Sequence, residues 1–124
     1  MTSDSTEQHE YEVVVVGGGP AGMTAALYST RLGHDTAVVS RGGGRAAMMQ
    51  EVHNLLGVKE ETNGAEFLGI GQEQLEAYGC DIHRDMVTTC SRGDSDGIRL
   101  SGNSAEYEAN RVVLATGFND VRPE

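Results

Sequence analysis

The apolar positions of this 124-residue chain change period several times, and each change marks an element. Residues 11–16 (YEVVVV) are a short β-branched run that ends in three glycines, the pattern of a strand buried on both faces of a parallel sheet. A helix is expected at once. Pro20 suits its first turn, Met23, Ala26 and Leu27 share a face, Arg31 points away, and Gly33 suits a left-handed cap. Residues 36–40 (TAVVS) read as a second buried strand and complete a right-handed β-α-β unit. The segment 41–57 predicts no more than a short helix. Asn63 with Glu66 three residues on opens a second helix, Phe67, Ile70 and Leu75 supply its apolar face, and Gly79 stops it. Residues 81–84 read as a third parallel strand, and 87–92, 98–101 and 106–109 as a small antiparallel meander with a turn at 94–97. Residues 111–115 (RVVLA) then return as another buried strand. The fold class is α/β: a Rossmann-like βαβ parallel sheet with a small antiparallel β-meander. Residues 1–10 show no periodicity and predict a disordered acidic leader, which leaves 11–124 as the domain.

Candidate chemistry concentrates where the first strand meets the first helix. Gly17, Gly19 and Gly22 form G-x-G-x-x-G in that context. Gly17 permits the tight turn, Gly19 lets the backbone approach a pyrophosphate, and Gly22 lets helix pack on strand. The helix N-terminus then turns free N–H groups and partial positive charge toward the phosphates, with Pro20 and Ala21 in the same loop. The competing reading, a turn that binds nothing, leaves three entropically costly glycines at this spacing unexplained. At the end of the second strand a dinucleotide site usually carries Asp or Glu for the ribose hydroxyls, and here that position is Ser40. Arg41 and Arg45 follow it, so either they are solvated loop charges or they accept a 2′-phosphate, as an NADP site would.

Charge narrows the partners. Nineteen acidic residues against nine basic ones give a formal net charge of −10, which disfavours nucleic acid and anionic membranes. Eight of the nine basic residues are arginine and only Lys59 is lysine, a bias that resembles proteins of salt-loving organisms. No run approaches the length of a membrane span and the first residues lack a signal-peptide pattern, so a cytoplasmic protein is expected. Cys80 and Cys90 are too far apart for C-x-x-C and read as packing thiols, while His9, His34, His53 and His83 lack companion ligands for a metal.

The loop GGGPAG at 17–22, with MTAALYSTRLG after it, resembles the FAD loop of thioredoxin reductases and their relatives. Residues 51–57 (EVHNLLG) are similar to the family's E-V-x-N-x-x-G segment, and the resemblance implies that Asn54 lies nearest the flavin ring. Asp85-Met86-Val87 falls where the family lines the adenine, which implies a backbone contact from Val87. Ala115, Thr116 and Gly117 match the A-T-G signature that closes the first FAD segment. Three departures accompany these matches. Ser40 replaces an acidic residue, residues 45–50 lack the family's G-G-Q, and neither an NADPH domain with C-x-x-C nor a final Gly-Asp segment follows A-T-G.

The resemblance implies an FAD-binding domain of a thioredoxin-reductase-like oxidoreductase, cut short after A-T-G. Its partners would be a flavin nucleotide and a second chain or homodimer completing the domain. By itself it is expected not to couple NADPH to disulfide reduction, since the protein only positions a flavin that carries the chemistry. Two alternatives stay open: a non-catalytic nucleotide-binding or interaction module, and an NADP-binding half-domain. The acidic excess carries its own consequence. About 1 M salt shortens the Debye length to roughly 3 Å and relieves carboxylate repulsion. The thermal midpoint should therefore rise clearly between low and molar potassium chloride, and a flat or falling midpoint argues against a salt-adapted surface.

Overall fold

The computed structural model describes residues 7–42, 56–59, 61–93 and 96–117. Eight elements occur in the order β1 (Glu7–Val16), α1 (Pro20–Arg31), β2 (Thr36–Ser40), α2 (Gly64–Ala77), β3 (Asp81–Arg84), β4 (Val87–Arg92), β5 (Ile98–Gly102) and β6 (Ala105–Leu114). They make one six-stranded sheet in the order β3-β2-β1-β6-β5-β4. Strands β3, β2, β1 and β6 run parallel, and β5 and β4 add antiparallel. The predicted α/β fold class is the one observed.

Alternation along β1 explains why its valines are continuous. Val14 and Val16 face a core that includes Val39, Leu100 and Tyr107, whereas Val15 faces Met23, Ala26, Leu68 and Leu75 of the helices. Each face of the parallel strands is thus covered, the condition under which a strand needs no polar side. Val14 and Val16 can share a core with Leu100 and Tyr107 only because the meander folds back over the parallel sheet. The His9 ring, near the start of β1, lies 4.5 Å from His83 on β3 and 5.7 Å from the Tyr107 ring on β6. Pairing of β1 with β6 skips Glu12, whose N–H bonds Asp35 O instead (2.9 Å), which marks where the two long strands bend.

Both helices end as their sequences imply. In α1, Gly33 (φ +95°) donates to Thr30 O and His34 to Ser29 O, a paired closure that a left-handed residue permits. Asn63 Oδ1 caps α2 by accepting from Glu66 N at 2.8 Å, and Gly79 (φ +93°) closes it.

Several expectations need correction. Residues 7–10, expected in a loose leader, are strand: they pair one for one with residues 105–108, and backbone pairing needs no apolar side chain of their own. The strands expected at 106–109 and 111–115 are one strand, β6, because polar Asn110 and Arg111 interrupt the apolar pattern without breaking the backbone. Its end is not buried, with Leu114 70% exposed. Ile70 points outward and Leu68 takes its place in the core, since Leu68 and Leu75 lie two helical turns apart. Cys80 is buried, but Cys90 is exposed on β4, the outermost strand. The short helix expected within 41–57 falls largely outside the described residues, as does most of the tip of the 94–97 turn.

Asp85 anchors the fold-back. Its carboxylate is buried and accepts from Met86 N (2.8 Å), Ser104 N (3.1 Å), Ala105 N (3.2 Å) and Tyr107 Oη (2.9 Å), tying the β3–β4 turn to the β5–β6 hairpin. A Cβ on Gly102 would collide with that carboxylate. Burial pushes the Asp85 pKa up, but the Tyr107 hydroxyl and the three backbone donors outweigh it and hold the carboxyl below its usual range. The folded pKa lies below the unfolded one, so this stabilisation is complete above about pH 4 and is lost as pH falls through the folded value. Asp85→Asn should cost roughly 2–3 kcal/mol at neutral pH by leaving buried donors unpaired. In acid titrations followed by circular dichroism, the variant's stability should depend less on pH below 4 than the parent's. An equal slope in both would assign the acid sensitivity to other carboxylates.

Candidate functional site

The parallel pairing of β1, β2, β3 and β6 brings the C-terminal ends of all four strands to one edge of the sheet, where open α/β folds bind ligands. Three close approaches shape the loop there, two to backbone carbonyls and one to a side chain. Gly17 has φ +120°, and a Cβ on it would run into the Ala115 carbonyl. A Cβ on Gly22 would run into the Gly17 carbonyl, and one on Gly18 would stand 2.6 Å from Ser40 Oγ. Two hydrogen bonds hold this arrangement: Ala115 N donates to Val16 O (2.8 Å) and Gly17 N to Val39 O (2.9 Å). The A-T-G segment is therefore the floor beneath the first loop glycine, joined to it by atoms rather than by sequence.

Gly19 behaves differently. It is the N-cap of α1 with no side-chain cap, and a Cβ built on it meets nothing within 4 Å. The first intrahelical bond runs from Met23 N to Gly19 O (3.0 Å), and Pro20 has no N–H. Among the described residues the N–H groups of Ala21 and Gly22 have no partner, and the first turn carries no acidic residue. Two free donors and the positive end of a twelve-residue helix thus face open space, an arrangement that fits a pyrophosphate.

Ser40 closes β2 beside Gly18, half-buried, and its Oγ accepts from Gly42 N at 3.1 Å. Its carbonyl accepts from Asp85 N (3.0 Å), which fixes the turn after β3 against the end of β2. Arg41 is exposed next to it, Val87 begins β4 three residues beyond Arg84, and Thr116 and Gly117 are exposed on the far side of Gly17. Gly17, Gly19, Pro20, Ala21, Gly22, Ser40, Arg41 and Ala115 are thereby gathered at one end of the sheet. Asn54 and Arg45 lie outside the described residues.

Two residues that sequence reading passed over belong here. Arg84 is the register partner of Ser40 across β2 and β3, and a Cβ on Gly42 would stand 2.7 Å from its Nη2 and 3.0 Å from its Cζ. Nothing in the spacing of Arg84 announces this, since strand register alone sets it beside Ser40. Asp85 is the other. It follows Arg84 directly and its N–H bonds the Ser40 carbonyl, but four donors already use its carboxylate and it is 6% exposed. Cys80 lies away from this edge at the start of β3, where burial pushes its thiol pKa up and keeps it protonated.

Comparison with known proteins agrees with this geometry. Residues 11–124 match the model of the pyridine nucleotide-disulphide oxidoreductase family. The chain is 35% identical over 114 residues to a thioredoxin reductase of Helicobacter pylori, a match that takes in 90% of this chain and 37% of that protein. Among solved structures, a thioredoxin reductase from Gloeobacter violaceus superposes with a TM-score of 0.84 at 27% identity, covering 92% of this chain and 37% of that one. The atypical thioredoxin reductase of Desulfovibrio vulgaris Hildenborough gives 0.80 at 33% identity, covering 90% and 37%. The chain spans little more than a third of the length of these relatives. With its family model matched over residues 11–124, the chain belongs to the pyridine nucleotide-disulphide oxidoreductase family.

Proposed function

We propose that this chain binds FAD as the FAD-binding part of a thioredoxin-reductase-like oxidoreductase, with the diphosphate seated on residues 17–22. The observation that carries the reading is Gly19: the one loop glycine facing open space is also the uncapped start of α1, next to two free N–H groups. FAD, when bound, supplies the electron transfer. The protein's part is to hold and orient it, with Gly17 and Gly22 fixing the loop, Ser40 and Arg41 at the ribose, and Thr116 and Gly117 beside the phosphates. The family resemblance assigns Val87 a backbone contact to the adenine and sets Asn54, outside the described residues, by the flavin ring. A second chain or a second copy completes the domain. In support, β5 pairs only with residues 106–109 of β6, so Arg111–Leu114 keep an outer edge unpaired by β5, and Leu114 is exposed on it. The acidic surface supports a halophilic, cytoplasmic setting, and no helix among the described residues is long and apolar enough to cross a membrane.

Gly19→Asp separates binding from folding. The carboxylate has room, supplies a helix cap, and should leave stability unchanged or raised by a few tenths of a kcal/mol. The same charge faces the diphosphate, so FAD affinity should fall at least about ten-fold, or roughly 1.4 kcal/mol. Flavin fluorescence titration and a thermal melt read the two effects, and undiminished FAD binding by the variant would refute the placement.

Ser40→Glu tests the ribose end. It restores a charge-assisted acceptor and should tighten FAD by about 1 kcal/mol, or several-fold. Equal or weaker binding would place the ribose elsewhere.

A further inference from the structure

Among the described residues the ribose end of the cleft is rich in donors. Ser40 Oγ accepts the Gly42 N–H, which leaves the hydroxyl its proton and one neutral lone pair to offer outward. Arg84 lays its guanidinium over Gly42, in register with Ser40, and among the described residues it has no hydrogen bond or ion pair. Arg41 adds a second exposed cation between them in the chain. The acceptor that could balance these donors, Asp85, is turned inward onto Met86, Ser104, Ala105 and Tyr107. Two ribose hydroxyls are held best by a carboxylate that takes their protons, and among the described residues this rim offers them only the remaining lone pair of Ser40. A phosphate ester needs only donors, and a planar guanidinium suits it. The local positive charge also stands out against a chain of net charge −10, whose field otherwise repels anions.

We propose that Arg84 is the specificity-determining residue at the adenosine end of the cleft, where with Ser40 it favours an adenosine ribose that carries a 2′-phosphate. The assignment rests on reading the loop 17–22 as a dinucleotide site. The 2′ position is the one that the residue closing the second strand addresses in such sites. A 2′-phosphorylated dinucleotide therefore competes with FAD for the same diphosphate cradle, and FAD gains little from its own ribose.

Three half-ligands isolate the rim: AMP, adenosine 2′,5′-bisphosphate and adenosine 3′,5′-bisphosphate, titrated calorimetrically against the whole chain at fixed ionic strength, with FAD titrated separately. The parent should bind the 2′,5′-bisphosphate about ten-fold more tightly than AMP and more tightly than the 3′,5′ isomer. Arg84→Ala should bring the 2′,5′ to AMP ratio to within about two-fold while AMP and FAD affinities hold. Arg92→Ala, which removes a charge at the far end of β4, should keep the preference, and Ser40→Glu should reverse it toward AMP. Equal binding of the three probes, or a preference that survives Arg84→Ala, overturns the role of Arg84 while leaving the FAD site standing. Loss of FAD and AMP binding by the parent itself overturns both.

Discussion

The Ala115 carbonyl lies so close to the Cα of Gly17 that no side chain can stand between them, and the Gly17 carbonyl presses in the same way on Gly22. This file of backbone contacts sets the path of the loop, because Gly17 at φ +120° is held from below by β6 and from above by α1. Of the loop's two remaining glycines, Gly18 abuts Ser40 while Gly19 faces open space, and α1 starts without a side-chain cap. The cradle follows from packing. Its electrostatics then follow from what is missing, since neither a capping side chain nor a first-turn acid competes for the N–H groups.

The contact depends in turn on β6 lying parallel beside β1, and that depends on the meander. Strand β6 spends its first half as an antiparallel partner of β5 and its whole length beside β1. Asp85 pins the meander back over the parallel strands, so a carboxylate remote from the glycine loop in function supports the strand that forms its floor. A smaller polar cluster reinforces the fold-back. Tyr11 Oη donates to Asp81 at 2.8 Å and meets His83 Nε2 at 2.6 Å, which requires His83 to donate there. Desolvation and the neighbouring His9 hold the His83 pKa down, in keeping with a neutral ring.

The parts of this structure that were legible in the sequence are those that local chemistry decides. The valines of β1, the caps at Gly33, Asn63 and Gly79, and the order of strands and helices all follow from side-chain type and period. What was not legible belongs to register and to long-range pairing. Residues 7–10 are polar and become strand through pairing with residues 105–108, where Ala105 and Tyr107 are buried. Ile70 and Leu68 are both plausible core residues by hydrophobicity, and the crossing of α2 over α1 decides between them. The glycine loop could be read from its motif, whereas Arg84 reaches the site only through its pairing with Ser40. Asp85 opens the segment that the resemblance sets at the adenine, and its carboxylate is also a structural anchor, a role visible only once its four donors are in place.

Amide chemical shifts report directly on whether the unspent N–H groups above the A-T-G floor receive a diphosphate. In a two-dimensional nitrogen–proton spectrum of the labelled chain, added FAD should shift the amides of Gly18, Gly19, Ala21 and Gly22 most, with Thr116 and Gly117 following. Amides along the groove between α1 and α2, such as Ile70 and Gln74, should stay in place. Large shifts in that groove with a silent glycine loop would contradict the account, because they would put the nucleotide on the helices and leave the cradle without a ligand.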